Sequence, residues 1–346
     1  MKDYKEEVIA ADFHGQEVKL FTLENSTGDK VSISNYGATL TRWQVMHDEG
    51  ELEDYILTYD TFEEFVEGTD HRGGVCGPVA NRIANGEFRL HDQFYKLDKH
   101  GTQHVCHSGH NGIDQKVWEC VGIEKDEVHL RLQVEHLSDQ FPGDRTFDVR
   151  YLFSEDRSLQ ITYSVETTED TIINLTNHAY FTLGEEPAIN DLFLEVNASY
   201  FTPVDALLIP TGEVLKVDNT GFDFRSARVL SVLENSDDER IRRVGGLDHN
   251  FLVDAEERGE LRYAGRVINK KKGVQLVCYT TEPGMQVYTQ IIDKHADVPS
   301  YRAICLETQN VPDAINVSHF PSPVLRSGDR YESNTIYSVA PYVDED

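Results

Sequence analysis

From Glu127 to Glu135 the chain alternates without a break. Val128, Leu130, Leu132 and Val134 fall on one side, and Glu127, His129, Arg131, Gln133 and Glu135 on the other. A period of two predicts a strand with one face buried and the other in water. The same period returns at Phe147, Val149, Tyr151 and Phe153, then at Leu159, Ile161, Tyr163 and Val165, with the turn-like run Ser154-Glu155-Asp156-Arg157 between them. These segments read as an antiparallel meander. Further strands are predicted over residues 18–23, 31–34, 39–46, 192–196, 274–280, 285–292, 303–309 and 330–339. Helical period is scarce: TFEEFVE at 61–67 is the best short helix, with Asp60 or Thr61 as its cap.

Strands follow one another from end to end, with no Pro/Gly/Ser-rich linker and no internal repeat. The pattern therefore predicts an all-β chain, a large antiparallel β-sandwich with few short helices, built as one domain over residues 1–346. The longest irregular stretch, about residues 69–112, is dense in Gly, His and Asn, and loops of that length inside a compact domain usually carry function.

Charge narrows the partners. Lys and Arg total 32 against 61 Asp and Glu, a net charge of −29 over 346 residues. So acidic a surface repels phosphate backbones and anionic headgroups, which argues against nucleic acid and membrane as partners. Aromatic residues make up 10% of the chain, enough with the aliphatic ones for a packed core. The N-terminal run MKDYKEEVIAADFHGQEVKLF carries charges throughout and no signal-like apolar stretch, and the five cysteines (76, 106, 120, 278, 305) form no CxxC pair. Both features point to a reducing, cytoplasmic setting.

Five clusters carry candidate chemistry. GGVCGPVANRIANGEF (73–88) matches neither GxGxxG nor GxxxxGK[ST], but sets Asn81 and Arg82 in an apolar run, where a guanidinium needs an acceptor. HVCHSGHNG places His104, His107 and His110 three apart, a spacing that suits neither a helix face nor a strand face, so a ligand pocket or a solvated loop fits better than zinc. In INLTNHAYF, His178 shares a strand face with Thr176 and Tyr180, and taken alone reads as a hydrogen-bonded core histidine before it reads as a catalyst. In AICLETQNVPDA, Glu307 continues the Cys305 side of a strand covered on both faces. A carboxylate there needs a partner or a polar cleft, and Arg82 is an available structural partner. In GGLDHNFLVD, Asp248 serves either an Asx turn or a substrate hydroxyl.

Taken in order, NRIANGEF, H-x-G, NHAYF, IPTGE with FDFR, GLDHNF, T-x-x-PGMQVYT and LETQNVPDA closely resemble the aldose 1-epimerase (galactose mutarotase) family over nearly the whole chain. The resemblance implies a galactose mutarotase-like sandwich that interconverts the α and β anomers of free aldohexoses such as galactose and glucose, with no metal and no cofactor. It implies Glu307 as general base, His178 as general acid, and Asn81, Arg82, His107 and Asp248 as sugar-binding residues. A neighbouring carboxylate, Glu307 or Asp248, is expected to hold His178 protonated. The partner is a small sugar and the assembly a monomer or homodimer. One departure stands out: the family's His-Gly-Gly is here His107-Ser108-Gly109, a changed rim expected to shift sugar preference or to admit a disaccharide such as maltose. A silent sugar-binding protein on the same fold is the alternative from another class. A hexose-6-phosphate epimerase would want more arginines, and a glycosidase using Glu307 and Asp248 would leave the histidines without a role.

Overall fold

Each alternating run forms a strand where the pattern places it. The computed structural model describes residues 4–344 except 48, 49, 258, 294 and 297. In it Glu127–Val134, Arg145–Phe153 and Ser158–Thr167 are consecutive antiparallel neighbours. Leu130 lies opposite Val149 and Val149 opposite Tyr163, so the apolar sides of all three strands share one face. They belong to a nine-stranded sheet whose spatial order is Glu119–Ile123, Glu127–Val134, Arg145–Phe153, Ser158–Thr167, Arg330–Pro341, Val274–Thr280, Arg262–Asn269, Phe193–Val196 and Arg228–Val229.

Two five-stranded sheets share its core. The first is an N-terminal meander of Tyr4–Phe13, Gln16–Glu24, Lys30–Ser34, Thr39–Met46 and Leu52–Asp54. The second runs Leu215–Lys216, Tyr200–Thr202, Asp248–Leu252, Gly284–Ile291 and Tyr301–Gln309. Trp43 of the first, Tyr151 and Phe153 of the large sheet, and Phe251, Met285 and Leu306 of the second are buried in one continuous cluster. Each such side chain contributes roughly 1.5–3 kcal/mol by leaving water. Tyrosine hydroxyls tie the layers: Tyr151 donates to the Ala38 carbonyl at 2.6 Å, and Tyr337 to the Leu306 carbonyl at 2.6 Å.

The short helix begins as expected. Phe62–Glu67 is capped by Thr61, and Glu64 returns the hydrogen bond in a capping box. Several strands go beyond the predicted set, among them Tyr4–Phe13, Glu119–Ile123, Tyr200–Thr202 and Arg262–Asn269, as does a second helix, Glu239–Val244. Tyr4–Phe13 is an edge strand with no fully buried position, so it carries no alternation to read, and the helix buries only Ile241.

The stretch from 69 to 112 is more structured than its composition suggests. Val75–Cys76 pairs with Thr176–Asn177, Arg82–Ile83 with Val105–Cys106, and Glu87–Leu90 forms a hairpin with Gln93–Lys96. Two-residue pairings are too short for periodicity to reveal. They accompany a smaller core of Val79, Ile83, Phe88, Leu90, Leu97, Val105, Phe141 and Ile172. Among the described residues no helix is long and apolar enough to cross a membrane.

Candidate active site

Alternation on Tyr301–Gln309 divides its side chains between two environments. Ile304 and Leu306 enter the main core, whereas Cys305 packs with Leu57, Tyr180 and Ala303 on the opposite side. Glu307 continues that opposite side. Across the sheet Glu307 stands opposite Gln286, Gln286 opposite Asn250, and Tyr288 opposite both Asp248 and Cys305. Directly paired residues share a face, so two carboxylates, two amides and a phenol come together from three strands. Gln286 Nε2 donates to Asp248 Oδ1 at 2.7 Å and orients it.

His178 arrives from the other side. The strand expected through Tyr180 ends at Asn177. His178 is then held by its backbone, its N–H donating to the Gly74 carbonyl at 3.0 Å and its carbonyl accepting from Gly73 N–H at 2.9 Å. Its ring stacks on Tyr180 at 5.0 Å, and its Nε2 stands 3.6 Å from Glu307 Oε1. Both side chains are buried, and among the described residues His178 Nδ1 and Glu307 Oε2 have no hydrogen-bond partner. A buried polar atom left unpaired costs about 1–3 kcal/mol. Two of them side by side point to a ligand that supplies the missing partners.

The electrostatics correct two expectations. Burial, with a smaller repulsion from Asp248, pushes the Glu307 carboxyl well above its ordinary range. Burial, with a smaller contribution from His71, pushes His178 down to about 3. The neighbouring carboxylates therefore do not hold His178 protonated, because desolvation outweighs them. Nor does Arg82 pair with Glu307. It is only half-buried, and its charge acts on Asp248, where burial raises the pKa and Arg82 and Gln286 oppose the rise.

Asn81 and His107 are locked together. His107 N–H donates to the Asn81 carbonyl at 2.9 Å, and Asn81 N–H donates to His107 Nδ1 at 3.2 Å. An accepting Nδ1 places the ring proton on Nε2, consistent with burial holding His107 neutral. All six sequence-predicted residues, Asn81, Arg82, His107, His178, Asp248 and Glu307, line one cavity of about 540 Å³, within the usual range for a small-molecule site.

Sequence reasoning missed His71, Asp114 and Gln286. His71 Nδ1 and Asp114 Oδ2 are 2.6 Å apart, and the His71 ring packs 4.8 Å from His107 and 6.3 Å from His178. Gln286 lies within the PGMQVYT motif, and counting strand register from Glu307 would have found it. No periodic signal joins His71 to Asp114. The three-apart histidines separate: His110 packs on His100 at 4.3 Å, and His104 Nδ1 accepts from Asn85 N–H at 2.8 Å. The group with metal-ligand character among the described residues is instead His107, His178 and Glu307, with donor atoms within 4.8 Å of one another. Two ligands on one zinc lie at most about 4.2 Å apart, so these three would have to close in to share an ion.

Comparison with known proteins places this geometry. The family model described as aldose 1-epimerase matches residues 19–338. The chain belongs to the aldose 1-epimerase family. Among its relatives, the galactose mutarotase of Bos taurus is 34% identical over 88% of this chain and 90% of that one. The aldose 1-epimerase of Escherichia coli K12 is 30% identical over 93% of this chain and 95% of that one. Among solved structures, an aldose epimerase homologue from C. elegans superposes with a TM-score of 0.84 at 28% identity, over 93% of this chain and 98% of that chain. A galactose 1-epimerase from Lactobacillus acidophilus reaches 0.86 at 24% identity, over 99% and 100%, a match that speaks for the fold. The all-β sandwich and the carbohydrate isomerase class expected from the motifs therefore both hold for this family member.

Proposed function

We propose that the cavity interconverts the α and β anomers of free aldohexoses, galactose and glucose among them, with Glu307 as general base and His178 as general acid. The observation that carries the assignment of roles is the buried pair 3.6 Å apart with one unpartnered atom on each member. Burial favours the neutral pair, a carboxylic acid beside an imidazole, with the carboxylic proton the one to be passed. A sugar entering the cavity offers hydroxyls to Glu307 Oε2 and His178 Nδ1. That restores the polar surroundings each charged form needs and allows the proton to reside on His178.

The reaction then balances within the pair. Glu307 takes the proton of the C1 hydroxyl as His178 gives its proton to the ring oxygen, and the C1–O5 bond opens to the aldehyde. Ring opening leaves the carboxylic acid and the neutral imidazole, the forms that burial favours, so the dry site supports the open-chain intermediate. Rotation about C1–C2 and the reverse transfers close the ring on the other face and return both groups to their starting states. Asn81, Arg82, His107 and Asp248 bind the remaining hydroxyls and hold C1 and O5 within reach of base and acid.

We read residues 1–346 as one functional unit, a cytoplasmic monomer or homodimer whose partner is the free sugar. The unpaired cysteines support the reducing compartment. Polarimetry on freshly dissolved α-galactose and α-glucose tests the activity: the parent accelerates mutarotation and the Glu307→Gln and His178→Asn variants do not. A parent no faster than buffer would remove this reading.

A further inference from the structure

We propose that His71, aimed by Asp114, is a third histidine of the sugar site, donating a hydrogen bond from Nε2 to a ring hydroxyl on the His107 side of the cavity. The inference rests on the mutarotase reading and adds a substrate contact to it.

Three observations carry it. First, His71 lines the same cavity as Glu307 and His178, and its ring lies against both other imidazoles. With Nδ1 committed to Asp114 at 2.6 Å, Nε2 is the edge left over, and among the described residues no protein group takes it. The side chain keeps 21% of its surface exposed, so that edge is open to the cavity rather than sealed in the core.

Second, Asp114 is held in place by its surroundings. A Cβ added at Gly112 would stand 2.3 Å from Asp114 Oδ1, and one added at Gly37 would stand 2.2 Å from the Asp114 carbonyl oxygen. The backbone here passes too close for any side chain larger than hydrogen. Asp114 is buried, and a buried carboxylate bound to a histidine fixes which ring nitrogen carries the outward proton and strengthens it as a donor. The Asp114 carboxylate also raises the His71 pKa against the opposing effect of burial. Of the three packed imidazoles, His71 is thus the one whose pKa is raised, while His107 and His178 are held neutral.

Third, the chain carrying His71 is both strained and stapled. His71 has φ 54°, Asn81 φ 60° and His107 φ 48°, left-handed conformations uncommon for residues with a Cβ and concentrated around this cavity. Asp70 is fastened by Arg72 Nε at 2.8 Å, by the Tyr59 hydroxyl, and through its carbonyl by the Tyr180 hydroxyl at 2.8 Å. Gly73 and Gly74 then bond to both ends of the His178 peptide. Such fastening suits a side chain that must meet a substrate at a fixed distance.

The test pairs the protein with the sugar. Binding and anomer exchange of galactose and its 3-deoxy, 4-deoxy and 6-deoxy analogues are compared between the parent and His71→Phe, which keeps a ring but no N–H. Calorimetry reads binding whether or not exchange is catalysed, so failure of the mutarotase reading is seen separately. One deoxy analogue is expected to bind the parent about tenfold more weakly than galactose while His71→Phe binds the two alike, since the contact is already missing. KM rises in that variant while kcat stays within about threefold. Equal deoxy penalties in parent and variant would overturn the contact, leaving His71 a packing residue. If His71→Phe does not fold, Asp114→Asn carries the test. That variant keeps the imidazole but not its charged acceptor and is expected to shrink the same penalty, and an unchanged penalty there would count against the proposal.

Discussion

Two acid–base pairs with both side chains nearly sealed from solvent, Asp139–Arg145 and His178–Glu307, are built on opposite principles. Asp139 and Arg145 have no exposed side-chain surface and meet in a two-pronged bridge, at 2.6 and 3.1 Å. Arg145 Nε also donates to the Gly143 carbonyl at 2.9 Å, and Asp139 Oδ1 accepts from Phe141 N–H at 3.2 Å. Glu307 and His178 are nearly as buried, yet stand 3.6 Å apart with an unpartnered atom on each. Burial alone therefore does not mark a site. What separates the pairs is satisfaction: the first answers its polar atoms within the protein, and the second leaves room for an outside molecule to answer them.

Substituting the base sharpens that contrast most. Glu307→Gln keeps the shape and removes the proton acceptor, so kcat for galactose anomer exchange is expected to fall about 10³–10⁴-fold, in line with loss of a general base. Thermal stability at pH 7 is expected to stay level or rise, because the variant no longer buries an ionisable acid. A fall in Tm of the size that accompanies loss of a structural ion pair would place Glu307 with Asp139 and break the distinction.

The converse substitution belongs to the other pair. Arg145→Met leaves Asp139 buried without its cation and is expected to destabilise the fold by about 3–5 kcal/mol in a urea titration. Activity per folded molecule stays at the parent value. If kcat dropped with stability intact, the bridge would be part of the catalytic apparatus.

Much of the fold and part of the site were legible in the chain, and the illegible part has a physical cause. Strands such as Glu127–Val134 and Val274–Thr280 declare themselves, since one face meets the core and the other meets water or a second layer. Glu307 stood out because a charge followed an apolar run covered on both faces. His178, Asn81, Arg82, His107 and Asp248 became a site only through the family motifs, because each alone fits an ordinary structural role. The His71–Asp114 contact was not legible. Its members are 43 positions apart and meet through turns and two-residue pairings that leave no period. Protonation was misread for a related reason: sequence reveals that a carboxylate and a histidine are neighbours, but not how little water surrounds them.

The smallest effect tests that last point. His178 is held neutral in the fold, with its pKa at about 3, whereas in the unfolded chain an imidazole takes up a proton below about 6.5. Between those values the unfolded state binds the extra proton, so this group costs the fold stability as pH falls from about 6.5 toward 3. The loss amounts to about 2 kcal/mol between pH 7 and pH 5. His178→Asn has no such group, so its stability relative to the parent is expected to improve by about that amount over the same interval, read by urea unfolding at the two pH values. An unchanged difference would mean that His178 stays as solvated in the fold as outside it. The pair would then lose the feature that distinguishes it from the Asp139–Arg145 bridge.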